Sequence, residues 1–186
     1  MSKKNSIVYG AVAIAFAAIG LVVGCSKQEA PAAPAAASAS ATAPAAATPE
    51  GALFAAVMPD NQGVKQALAQ WKGKPLIVNF WAPWCGPCVQ EMPELSQLAM
   101  DSAGKNINVI GIGIDSPTNI AEFGSKFKIS YPLYVAGMSG TELSRSFGNS
   151  GGSLPYTVLI GADGKVKKTY LGRIDFAKLK ADLATL

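Results

Sequence analysis

The sequence predicts an α/β fold in which a βαβ half is followed by a ββα half around one central mixed sheet, with helices on its flanks. Three observations carry this. Two continuous apolar runs, LIVNFW at residues 76–81 and NVIGIGI at 108–114, have the length and bulk of buried strands. Between them, Val89, Met92, Leu95, Leu98 and Ala99 fall at helical spacing within residues 88–103, and Gly104 follows as a stop signal. Near the C-terminus, TVLI at 157–160, the turn Ala162-Asp163-Gly164 and residues 166–170 read as an antiparallel hairpin with an Asp-Gly signal. A strand–helix–strand unit of this length pairs its strands in parallel, so a sheet that also holds the hairpin is mixed.

The remaining elements follow in chain order. Residues 53–58 are expected to form a first strand, 59–63 a turn, and 66–71 a short helix before Gly73, together an N-terminal β extension. A helix over 119–127 and a short strand at 133–135 stand between the two halves as an insert in mid-fold. A helix over 141–147 precedes the hairpin, and an amphipathic helix over 176–186 ends the chain. There is no internal repeat and no glycine loop of the kind that cradles phosphate.

A length of 186 residues suits one domain with extensions, and the 49% hydrophobic composition is raised by two stretches that precede residue 51. The first begins with Lys3 and Lys4, continues as an uncharged apolar run over residues 7–23, and ends at Gly24-Cys25. The run Val22-Val23-Gly24-Cys25 resembles the lipobox of bacterial lipoproteins, although leucine is commoner where Val22 stands. That resemblance implies a signal peptide over 1–24 and acylation of Cys25. The alternative is an uncleaved anchor, since seventeen apolar residues are at the lower edge of a spanning helix. Either reading holds the protein at a membrane, with its body in an oxidising compartment.

Residues 25–50 then form a tether. Twelve of the twenty-five residues after Cys25 are alanine and four are proline, with no large apolar side chain to bury. As a coil this stretch spans on the order of 25 to 30 Å, and roughly 80 Å if wholly polyproline-like. Residues 51–186 make the folded domain, with thirteen basic and ten acidic residues and no basic cluster, which excludes a nucleic-acid footprint.

The chemistry is concentrated in WAPWCGPC, residues 81–88. A free thiol has a pKa near 8.5, and the chain contains no histidine to activate one. Cys85 instead stands where a strand meets a helix, so unpaired N–H groups and the positive end of the helix dipole can stabilise its thiolate. Pro87 has no N–H to add, which keeps that stabilisation modest. A structural bridge, a metal site and an inert thiol pair are the other readings of Cys85 and Cys88. Zinc is disfavoured because two thiols without histidine do not complete its four ligands, whereas two thiolates suit Cu(I) transfer, the rival from another class. Glu91 lies one turn beyond Cys88, either as a buried acid of raised pKa able to take its proton or as a solvated first-turn acid.

FWAPWCGPC at a strand end, Pro93 inside the following helix, the Leu154-Pro155 step before the next strand and the ββα ending resemble the thioredoxin fold. Asn79, the CxxCxxE spacing from Cys85 to Glu91, and the inserted helix and strand are similar to the TlpA and ResA group, membrane-tethered thiol-disulfide oxidoreductases of the bacterial envelope within the AhpC/TSA-thioredoxin superfamily. Small thioredoxins carry an aspartate at the Asn79 position, so that acid's role is not transferred. The resemblance implies Cys85 as nucleophile, Cys88 as resolving thiol and Glu91 as proton acceptor. It further implies substrate contacts by Trp84, Gly86, Pro87, Leu154 and a cis Pro155, with the Cys85–Cys88 disulfide as redox centre and no metal or separate cofactor. Implied partners are a disulfide-containing envelope protein, as in cytochrome c or copper-site maturation, and a transmembrane thiol donor of the DsbD/CcdA type. Because Pro87 leaves the thiolate few donors, the disulfide is expected to resist reduction and the pair to reduce envelope-protein disulfides; a disulfide oxidase is the alternative direction.

Overall fold

The computed structural model describes residues 48–186 apart from 103 and 105; the signal segment, Cys25 and most of the tether lie outside the described residues. In chain order the elements are α1 (Pro49–Ala55), β1 (Val57–Pro59), β2 (Lys65–Ala67), a 3-10 turn (Leu68–Trp71), β3 (Leu76–Trp81), α2 (Gly86–Ser102), β4 (Asn108–Gly113), α3 (Pro117–Phe127), β5 (Leu133–Val135), α4 (Met138–Ser146), β6 (Tyr156–Ile160), β7 (Val166–Leu171) and α5 (Phe176–Leu183). The five-stranded sheet has the order β5-β4-β3-β6-β7. β3, β4 and β5 run parallel, and β6 is antiparallel to both β3 and β7.

β3 takes the central place because all six of its side chains are buried. Leu76, Val78 and Phe80 enter one core with Ile110, Ile112, Val158 and Ile160, while Ile77 and Trp81 enter the other with Met92, Leu95, Phe123 and Leu179. Burying each large aliphatic or aromatic side chain contributes about 1.5–3 kcal/mol, so a strand that is apolar on both faces is most stable in mid-sheet. Buried residues of α2, α3 and α5 cover one face, and Leu53 of α1 lies with the other core. Gly111 on β4 is required by packing: a Cβ there would sit 2.7 Å from Leu133 Cδ2 and 3.0 Å from Trp81 Nε1.

The N-terminal extension differs from the expectation. Residues 53–55 belong to a helix, because Thr48 Oγ1 accepts the Gly51 N–H at 3.1 Å and Pro49 opens the first turn, an arrangement that nucleates helix ahead of the apolar residues. Strand begins only at Val57, and β1 pairs with β2 in a separate two-stranded sheet. Of the short helix expected over 66–71, residues 68–71 form a 3-10 helix, while residues 66 and 67 belong to β2. Glu50 Oε1 accepts the Val166 N–H at 3.1 Å, which fastens α1 to the start of β7. The inserted helix and strand are present as expected: α3 leads to β5, which extends the sheet beyond β4.

Candidate active site

β3 ends at Trp81, and a short turn brings the chain to Cys85, whose N–H donates to the Ala82 carbonyl at 3.1 Å. Cys85 occupies the cap position of α2. Its carbonyl accepts the Val89 N–H at 3.1 Å and its Sγ accepts the Cys88 N–H at 3.3 Å. The helix thus directs a main-chain donor at this sulfur, and Pro87, between them, has none to offer. Cys85 and Cys88 form a disulfide with an S–S distance of 2.05 Å and Cα atoms 5.2 Å apart. Cys85 keeps 6% of its surface and Cys88 none, so a partner approaching from solvent reaches Cys85 first.

The neighbouring residues divide by exposure. Trp84 is 69% exposed beside Cys85, and Gly86 and Pro87 are also exposed, so all three border the disulfide at the surface. A Cβ at Gly86 would meet nothing within 4 Å, so space does not demand glycine there. Trp81 is wholly buried, 4.7 Å from Phe123 between ring centroids, and serves packing. The Leu154-Pro155 peptide bond is cis. It leads into β6, whose Tyr156 pairs with Phe80, so this step sits beside the end of β3 that feeds Cys85. Neither the N–H nor the C=O of Leu154 is hydrogen-bonded among the described residues.

Glu91 is fully buried on α2, one helical turn after Cys88. Its Oε1 accepts from Asn79 Nδ2 at 2.8 Å and its Oε2 from the Ile174 N–H at 2.9 Å. Burial raises its pKa to about 6, against the lowering effects of the Ile174 N–H, the Asn79 amide and the nearby Arg173 charge. Of the two readings of Glu91, the geometry matches the buried acid. Asn79 also donates to Thr157 Oγ1 at 3.0 Å. Thr157, Ile174 and Arg173 were not legible as site residues; a lone amide within the apolar run LIVNFW was the one signal of a buried polar network, and it does not name its partners. Among the described residues there is no cluster of three or more His, Cys, Asp or Glu side chains that could hold a metal.

The Redoxin family model matches residues 31–183. The thiol-disulfide oxidoreductase ResA of Geobacillus thermodenitrificans is 28% identical over 131 residues, covering 70% of this chain and 73% of that protein. ResA of Bacillus cereus is 36% identical over 118 residues, covering 62% of this chain and 65% of that protein, a little under two thirds of its length. The crystal structure of a thiol:disulfide interchange protein from Chlorobium tepidum superposes with a TM-score of 0.60 at 28% identity, covering 70% of this chain and 91% of that one. The cysteines of this chain form a disulfide across the first turn of α2, and the chain belongs to the Redoxin family, within its thioredoxin-like group of thiol-disulfide oxidoreductases.

Proposed function

We propose that the protein is a membrane-tethered reductase of disulfides in cell-envelope proteins. In the first step the Cys85 thiolate attacks one sulfur of a substrate disulfide; a mixed disulfide forms and the other substrate sulfur leaves as a thiolate. Cys88, after giving up its proton, attacks Cys85 Sγ and expels the second substrate thiolate. The substrate gains two electrons and the Cys85–Cys88 disulfide is restored. The 6% of its surface that Cys85 keeps, against none for Cys88, supports this order, and Glu91 is the acceptor for the Cys88 proton.

The observation that carries the reducing direction is the sparse set of donors at Cys85. One N–H, that of Cys88 at 3.3 Å, reaches its sulfur, and Pro87 supplies none. A thiolate held so lightly leaves less readily and keeps its electrons less firmly, so the disulfide resists reduction and the dithiol is a good donor. The unpaired main chain of Leu154 offers an extended substrate segment a strand-like partner beside the disulfide. Trp84, Gly86 and Pro87 frame the approach. Acylation at Cys25 with the Ala/Pro tether places the domain in the periplasm, and a transmembrane thiol protein of the DsbD/CcdA type returns it to the dithiol state.

Trapping tests this reading. Cys88→Ser expressed in the native envelope leaves mixed disulfides at Cys85 unresolved, and their partners are expected to be disulfide-bearing envelope proteins, such as apocytochromes or copper-site assembly proteins. Absence of any mixed disulfide at Cys85 would contradict it.

A further inference from the structure

We propose that Asn79 and Thr157 are positioning residues for Glu91: the Asn79 amide, anchored by the Thr157 hydroxyl, aligns the carboxylate one helical turn from Cys88 and favours its ionised form. The inference rests on the reading of Glu91 as proton acceptor and adds two residues to it. Three elements meet here. Asn79 on β3 pairs with Thr157 on β6, and Glu91 descends onto them from α2. Both Nδ2 hydrogens of Asn79 are used, one on Glu91 Oε1 at 2.8 Å and one on Thr157 Oγ1 at 3.0 Å.

The amide's orientation is informative because it leaves a group unsatisfied. Among the described residues Asn79 Oδ1 is buried without a partner. An orphaned buried acceptor is costly, so the two donated bonds must outweigh it. The reversed amide would instead aim its oxygen at Glu91, which suits a protonated acid and repels a carboxylate. Thr157 Oγ1 accepts the amide's second hydrogen and so holds the amide against Glu91 in the orientation that suits the carboxylate. Thr157 also lies two residues after Pro155, so the strand that carries this anchor follows directly on the cis step.

The other groups bearing on Glu91 are few. Arg173, in the turn before α5, favours the charged form; Glu94 on its own helix opposes it; and the buried phenol of Tyr131 feels its charge from the segment between α3 and β5. Asn79 and Thr157 are the contributions of β3 and β6, and neither titrates.

The test titrates the Glu91 carboxyl carbon by NMR in the oxidised protein, where no exchange reaction takes place. Asn79→Ala is expected to raise the midpoint by about one pH unit, since a donor to the carboxylate is lost. Thr157→Val is expected to raise it by a smaller amount, and Thr157→Ser to restore the native value. Should Asn79→Ala not fold, the valine and serine pair decides. Midpoints unchanged or lowered in these variants would overturn the positioning role. The kinetics of Glu91→Gln test the acceptor role separately, so the two failures are distinguishable.

Discussion

Glu91 Oε2 accepts the main-chain N–H of Ile174 at 2.9 Å although the two residues are 83 positions apart. This bond ties α2 to the turn before α5 and closes a buried box around an acid one turn from the resolving cysteine. Because the acid is desolvated, its pKa rises from 4.5 to about 6 despite the two N–H donors.

That rise makes stability depend on pH with a definite sign. Between pH 4.5 and 6 the native state holds a proton that the unfolded chain has lost, so the contribution is present below 4.5 and falls as pH rises through 6. The difference amounts to about 2 kcal/mol by neutral pH. Glu91→Gln removes this titration. Urea unfolding of the oxidised protein at pH 4 and pH 7 is expected to show a smaller loss of stability over that interval in the variant than in the native chain. An unchanged difference between the two pH values would place the acid in solvent.

The same substitution should affect exchange. Glu91→Gln is expected to slow resolution of the Cys85 mixed disulfide, by about 10²- to 10⁴-fold at most, and to remove an inflection near pH 6 from the rate profile. Stopped-flow measurements with a single-disulfide peptide from pH 5 to 9 check this. Unchanged kinetics would transfer the proton of Cys88 to water.

Much of this site was legible because its main signals are local. The run LIVNFW is apolar on both faces, and the cysteines follow within a few residues, so strand, junction and helix could be placed together. Pro155 was placed through resemblance to a family, and its cis bond agrees. The burial of Glu91 could not be decided, because its partners Asn79 and Ile174 are 12 and 83 positions away and only the fold brings them near. The helix at Pro49–Ala55 was missed for a different reason: its cap, Thr48, lies in a stretch whose composition reads as tether, and the apolar residues that follow suit strand and helix alike.

Packing over β4 gives a prediction about stability. Gly111→Ala places a methyl 2.7 Å from Leu133 Cδ2 with Trp81 Nε1 and the Tyr131 ring also in contact, beneath the layer that carries the disulfide. A loss of about 1–3 kcal/mol is expected from overpacking, read as a lower urea midpoint with unchanged slope.

The tether can be tested apart from the chemistry. With Cys25→Ala, acyl labelling and membrane association are expected to be lost, while disulfide reduction by the domain in solution is unchanged. Fractionation of cells expressing the variant reads the first, and reduction of a soluble disulfide protein the second. Membrane association that persists in the variant would favour an uncleaved helix over residues 7–23.

The reduction potential of Cys85–Cys88 tests the reductase assignment most directly. With one N–H at 3.3 Å from the Cys85 sulfur and a proline between the cysteines, the thiolate is weakly stabilised. Equilibration with glutathione buffers is therefore expected to give a value near that of thioredoxin, about −270 mV, rather than that of DsbA, about −120 mV, a span of about 7 kcal/mol. A value near the DsbA end would contradict the reductase reading and make the protein a disulfide donor.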